Sequence, residues 1–192
     1  VRGGCRGHGD LYGAIIRQFS EICEREKTMK LSELMAGYTP EPDFKGFVTA
    51  DQWVVAVGIG KVATEAEYTV IDGGVTAVDI SFNPTTSNKT YLRKSASSIK
   101  TGTQFTASVT GDVQHGDAFQ DHCAQADIIF GVGQAVVVPF VAFSLMNGKG
   151  YKGTAAVMVN SYGGGTAGEN APFSVDIKSV GTAPVSYTYS AE

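Results

Sequence analysis

The chain has 192 residues, among them 24 glycines, and only 18% of its residues are charged. This composition favours one β-rich domain with many turns over a helical bundle. The net charge of −4 argues against a protein that binds nucleic acid through its phosphates. The sequence has no apolar run of about 18 residues, which argues against a membrane-spanning helix. The three cysteines are widely spaced, form no Cys-x-x-Cys pair and predict reduced thiols.

Residues 1–28 differ in character from the rest of the chain. An Arg/Gly-rich start is followed by a short segment with helical spacing, whose apolar run is interrupted by Arg17 and is not that of a secretory signal. The letters EREKT before Met29 can be encoded by an almost pure purine stretch, as a bacterial ribosome-binding site would be. We therefore expect residues 1–28 to be a non-native upstream extension and Met29 to be the native start.

Residues 29–46 predict an N-terminal arm. Two prolines near its end fix an extended course and prevent a regular helix or strand there. Two interpretations stay open: a flexible terminus, or an arm that lies on a neighbouring molecule. The residues assigned to the arm are Leu34, Tyr38, Pro40 and Pro42.

Short strand candidates separated by turn signals follow, and residues 83–98 then form the longest polar interruption. This segment joins two strand candidates, and its cations stand out in an acidic chain. It is either a solvated loop or a projecting hairpin that docks on an acidic face of another copy. The residues that would carry that contact are Asn83, Pro84, Asn88, Lys89, Tyr91, Arg93 and Lys94.

The segment 101–147 has the pattern of a strand, a helix and a strand. Residues 101–113 alternate with period 2, and residues 134–147 are nearly all apolar, as in a strand buried on both faces. Between them a helix is predicted over about 116–130, capped by Asp117 and ended by Gly131 as the C′ glycine. Its narrow apolar stripe must pack on a sheet. That stripe consists of Phe119, Cys123, Ala126 and Phe130.

The rest of the chain continues with alternating strands around a glycine-rich turn at 163–168, and no linker divides residues 47–192. No combination of nucleophile, base and oxyanion donor is visible, which indicates that the chain is not an enzyme. His122 and Cys123 are adjacent, so on a helix they point about 100° apart and do not suit one metal ion. We therefore expect no metal and no cofactor.

Two stretches carry a resemblance to a known family. TGTQFTASVTGDVQHGDAFQDHC and VNSYGGGTAGENAPFSVDIKSVGTAP resemble the strand-to-helix segment and the closing hairpin of the tail tube proteins of long-tailed bacteriophages. The resemblance covers about residues 29–189. It implies a mainly β fold, in which a two-sheet sandwich or distorted barrel is flanked by one α-helix.

The same resemblance implies a function in the virion. Tail tube proteins form hexameric rings by joining sheets edge to edge, and the stacked rings conduct DNA through an acidic lumen without binding it specifically. The arm and the loop 83–98 would then carry ring-to-ring contacts, and further partners would be the tape measure, tail terminator and baseplate or tip proteins. Synthesis would take place in the cytoplasm of the bacterial host.

Three alternatives remain at this level. An enzyme whose site the pattern does not reveal would have a ligand-sized apolar pocket with convergent titratable groups. The tube of a contractile injection system shares the implied fold. An immunoglobulin-like adhesion or carbohydrate-binding module of a phage or cell surface would also be β-rich, but it would stay monomeric at high concentration.

Overall fold

A computed structural model of the chain describes residues 29–60, 62 and 64–189, so the expectation about residues 1–28 lies outside the described residues. The helices are α1 Leu31–Leu34, α2 Ala118–Cys123 and α3 Ala126–Ile129. The strands are β1 Trp53–Val57, β2 Thr69–Val70, β3 Val75–Ser81, β4 Pro84–Thr90, β5 Ala96–Thr103, β6 Thr106–Asp112, β7 Val137–Ser144, β8 Lys149–Tyr162, β9 Pro172–Ser179 and β10 Val185–Thr188. Within these ranges no helix is both long and apolar enough to cross a bilayer.

One antiparallel sheet in the order β2-β1-β7-β8-β9-β6-β3 forms the body of the protein, and β4 and β5 form a separate hairpin. Strand β8 connects the sheet because its 14 residues pair with three other strands. It pairs with β7 over residues 150–156, with β10 over 149–152 and with β9 over 155–162. The sheet curls into a half-barrel, so the predicted mainly β fold is confirmed.

Aromatic side chains fill the core on one face of the curled sheet. Phe105 and Phe140 stack with ring centroids 4.8 Å apart, and Phe119 of α2 meets the edge of Phe173 at 6.2 Å. Alternate residues of β6 and β9 point into this core, as their period-2 pattern predicts. We call this side of the sheet the core face.

The predicted single helix over 116–130 is wrong, because the segment contains two short helices. Gln125 has an extended backbone, with φ −66° and ψ 138°, and α3 therefore begins in a new rotational phase. Phe119 and Cys123 are fully buried as predicted. Ala126 and Phe130 are exposed, with Phe130 at 81%, and Ile128 packs into the core in their place.

The ends of this helical segment are set by Asp117 and Gly131. The Asp117 carboxylate accepts a hydrogen bond from the Gln120 backbone N–H at 2.8 Å, so the predicted N-cap is confirmed. Gly131 does not have the left-handed backbone expected of a C′ glycine. A Cβ atom there would collide with the carbonyl oxygen of Asp127, so close packing of the backbone requires the glycine.

The polar segment 83–98 is the larger part of a β-hairpin, because β4 and β5 pair from Pro84 to Thr103. The three residues 101–103 therefore belong to this hairpin, and the strand before the helical segment begins only at Thr106. The hairpin has few apolar residues and no buried ones. Its strands consequently lack the alternation by which a sequence pattern reveals a strand.

Candidate assembly surfaces

The β4–β5 hairpin projects from the sheet and pairs only with itself among the described strands. Its tip is a turn closed by a hydrogen bond from the Lys94 N–H to the Tyr91 carbonyl at 3.0 Å, and Arg93 has a left-handed backbone with φ +66°. Leu92 is 89% exposed. No described carboxylate pairs with the cations of the hairpin, which are Lys89, Arg93, Lys94 and Lys100.

The base of the hairpin is held firmly by the body of the protein. Asn83 has φ +28°, and its side-chain amide donates to Thr106 Oγ1 at 3.0 Å and to Ser81 Oγ at 3.3 Å. Phe82 packs edge-on against Phe105 at 6.0 Å and Tyr151 at 5.4 Å. The hairpin therefore leaves the sheet in a defined direction, and most of the residues predicted for a contact lie along it.

The arm lies on the face of the sheet opposite the core face, which we call the outer face. Leu31 and Met35 are buried there against β1 and β7. The Leu31 N–H donates to the Tyr68 carbonyl at 2.9 Å, and the Val70 N–H donates to the Met29 carbonyl at 3.0 Å. In a single copy the arm thus covers its own sheet.

The residues predicted for the arm are less buried than those that hold it. Tyr38 is 38% exposed, Pro42 is exposed, and Leu34 and Pro40 are half-buried. The two anchors, Leu31 and Met35, were missed. Their spacing of four residues on one helical face was the available signal.

A groove of about 1070 Å³ runs between the arm, residues 64–68 and β10. Four tyrosines line it, namely Tyr38, Tyr68, Tyr187 and Tyr189. Lys152 Nζ lies 2.7 Å from Glu65 Oε1, and burial together with the Glu65 charge raises the pKa of Tyr187 to about 12. The described residues that line the groove thus offer aromatic rings and one ion pair, and none of them is an activated nucleophile.

The described residues contain no group of three His, Cys, Asp or Glu side chains that could hold a metal ion. His122 is half-buried, and burial lowers its pKa, which favours the neutral ring. Its Nε2 atom has no hydrogen-bond partner among the described residues. Burial also raises the pKa of the Cys123 thiol to about 12, so this thiol is not a nucleophile at neutral pH.

Several strand edges are unpaired in the part of the chain that the structure describes, and β10, for example, pairs only with β8. Two of the unpaired edges, those of β3 and β8, belong to one part of the sheet. Strand β3 ends the sheet and pairs only with β6. Residues 157–162 of β8 pair with β9 on one side, but β7 reaches only to Ala156 on the other. These edges lie at opposite ends of a four-stranded section formed by β3, β6, β9 and the second half of β8.

Except at Thr106, which is buried next to Asn83 at the base of the hairpin, the outer face of this four-stranded section has no cover from the described residues. One cross-strand row runs from Asp79 through Ser108 and Asp176 to Met158, and none of these side chains is buried. Ser108 Oγ donates to Asp176 Oδ1 at 2.6 Å. This hydrogen bond lowers the pKa of Asp176 from its ordinary value, aided by Lys178 and Asn160.

Comparisons with known proteins give structural likeness only. No family model matches the sequence, and no curated protein gives a significant match. A chain from the tail of an empty gene transfer agent (GTA) particle with C6 symmetry is similar, with a TM-score of 0.53, 20% identity, and coverage of 73% of this chain and 98% of that chain. A chain from the virion of a native GTA particle gives a TM-score of 0.51, 18% identity, and coverage of 74% and 98%. The tail-tube-like fold is therefore confirmed.

Proposed function

We propose that the chain is a structural subunit of a phage-type tail tube, which assembles into stacked rings around a DNA-conducting channel. The observation that carries this proposal is a four-stranded section with an open edge at each end, in a fold shared with a chain from a C6-symmetric tail. Exposed sheet edges must be hidden or used for pairing. Because this section has one open edge at each end, an edge of one copy can pair with the other edge of an identical copy.

The two open edges are unlike, so their pairing is heterologous. Strand β3 of one copy would pair with residues 157–162 of β8 in the next, which requires α3 and the turn Gly133–Val136, both lying against β8, to leave room for it. A heterologous contact forms a closed ring when its rotation closes. The C6 symmetry of the similar tail makes six copies the expected number.

The uncovered outer face of the four-stranded section would line the channel. The core, α2 and α3 lie on the other side of the sheet, where a ring has more room for them. The channel wall would carry Asp79, Asp112 and Asp176 with Lys178, an acidic balance. Such a wall repels phosphates, so DNA passes without being held.

Ring-to-ring contacts are assigned to the hairpin and to the arm of residues 29–46. The exposed cations at the hairpin tip suit an acidic surface of the next ring, and exposed Leu92 adds an apolar contact. The arm would reach the neighbour through Leu34, Tyr38, Pro40 and Pro42. The end rings would bind tape measure, terminator and baseplate or tip proteins in the virion, after synthesis in the host cytoplasm.

Negative-stain electron microscopy of the purified full-length chain tests the proposal. At high concentration we expect hollow tubes with a regular axial repeat, and sedimentation should show large assemblies. A protein that remains a monomer at all concentrations would overturn the proposal. That result would favour the adhesion or carbohydrate-binding module.

A further inference from the structure

A single cation stands on the outer face formed by β3, β6, β9 and residues 157–162 of β8, as far as this face is described. That cation is Lys178, which alternates with buried Ile177 and therefore points away from the core. Its Nζ lies 3.1 Å from Asp176 Oδ2, two residues earlier on the same face. Lys178 thus forms an ion pair with the carboxylate of Asp176.

Asp176 is itself fixed by a neighbouring strand. Its second oxygen, Oδ1, accepts the hydrogen bond from Ser108 of β6, and its side chain is only 20% exposed. A partly exposed ion pair contributes little to stability. Its larger physical consequence is the charge that this face presents to solvent.

We propose that Asp176, oriented by Ser108, masks the charge of Lys178 and so prevents the channel wall from binding DNA phosphates. This inference rests on the proposed function, because it requires the outer face to line the channel. One free lysine in a subunit would be repeated in every copy of every ring. The repeated cations would hold a DNA duplex with an affinity that falls steeply with salt.

The masking role predicts a specific pattern among three variants. Asp176→Asn keeps the shape of the side chain and an acceptor for Ser108 but frees Lys178. The double variant Asp176→Asn with Lys178→Gln restores the net charge of the unmodified protein without a free lysine. Asp51→Asn, at an exposed aspartate outside this face, matches the charge change of Asp176→Asn and leaves Lys178 masked.

The experiment assembles tubes in the presence of a short fluorescent DNA duplex, pellets them and measures the DNA in the pellet. At about 50 mM salt, Asp176→Asn tubes should retain roughly tenfold more DNA than unmodified tubes, and at about 500 mM salt this difference should vanish. The double variant and Asp51→Asn should retain no more DNA than the unmodified protein. Equal retention by all four proteins would overturn the masking role.

Two further outcomes are distinct. Equal retention by Asp176→Asn and by the double variant would show that Lys178 is not the group that binds, which also overturns the inference. Failure of the unmodified chain to form tubes would contradict the proposed function instead. In that case the masking can be tested alone by elution from a heparin column. Asp176→Asn should elute at higher salt than both the double variant and Asp51→Asn.

Discussion

At the scale of single residues, Asp117 shows how one side chain serves local structure against an electrostatic cost. Its carboxylate caps α2 through the Gln120 N–H. Burial raises its pKa, and the charges of Asp72 and Asp121 raise it further, while the hydrogen bond from Gln120 opposes the shift. The cap needs an oxygen acceptor but not a negative charge, so the two effects can be separated by substitution.

We expect Asp117→Ala to lower the free energy of unfolding by about 1 kcal/mol, because the cap is lost. Asp117→Asn keeps an acceptor and should change stability at pH 7 much less. The folded-state pKa is raised, so the folded protein binds this proton more readily than the unfolded chain does. As the pH falls towards the ordinary value of about 4, the unmodified protein should therefore gain stability relative to Asp117→Asn.

Urea unfolding of the three proteins at several pH values between 4.5 and 7, a range chosen from roughly the ordinary carboxyl pKa upward, measures both effects. A stability difference between the unmodified protein and Asp117→Asn that stays constant over this range would contradict the raised pKa. An equal loss in both variants would show that the charge, and not the acceptor, stabilises the helix end.

At the scale of elements, the sequence predicted what depends on local chemistry and missed what depends on packing. Asp117, Phe119 and Cys123 were placed correctly because a cap and a stripe are local signals. No proline or glycine marks the break at Gln125 in the sequence. Ile128 points into the core only because α3 begins at a different rotation about its axis from α2. The hairpin was seen as polar and projecting, but its pairing was invisible without alternation.

The two helices make a matched pair of substitutions possible. Phe119→Ala removes a fully buried ring and should lower the free energy of unfolding by about 3–5 kcal/mol. Phe130→Ala removes an equally large ring that is 81% exposed and should change it by less than about 0.5 kcal/mol. Chemical denaturation measures both values. Comparable losses would contradict the break at Gln125, because one continuous stripe would then be buried.

The hairpin prediction concerns assembly and not folding. Arg93→Glu with Lys94→Glu reverses two exposed tip charges and should leave the circular dichroism spectrum and thermal midpoint unchanged, while tubes no longer elongate. Arg93→Lys with Lys94→Arg keeps both charges and serves as the control, which should form tubes of normal length. Electron microscopy gives the readout. Normal tubes from the charge-reversed variant would remove the stacking role from the hairpin.

At the scale of the whole molecule, the decisive feature is the division of β8 between two groups of strands. Its first half is enclosed by β7 and β10, whereas residues 157–162 have a strand neighbour only in β9 among the described residues. Single-sequence patterns reveal which residues alternate, but not which neighbour each segment of a long strand finds. The open edges, and the uncovered outer face between them, therefore emerged only from the three-dimensional arrangement.

Cysteine cross-linking tests whether these edges meet in a ring. In a background with Cys5 and Cys23 changed to serine, Met158→Cys on β8 is combined with a second cysteine on the outer face of β3. The positions on β3, taken one at a time, are Ala77, Asp79 and Ser81. Cross-strand neighbours have Cβ atoms about 4.5–5.5 Å apart, so at least one pair should form a disulfide between adjacent subunits when tubes are oxidised.

Denaturing gels should then show a ladder of covalent oligomers ending at a closed ring, which a heterologous contact produces and a two-fold contact cannot. Each single-cysteine variant is the control and should give no ladder, because Cys123 is buried. Cross-linking that stops at dimers would mean that like edges meet, which is incompatible with a ring built from β3 and β8. Tubes that assemble normally but cross-link in none of the three registers would place the subunit contact elsewhere on the molecule.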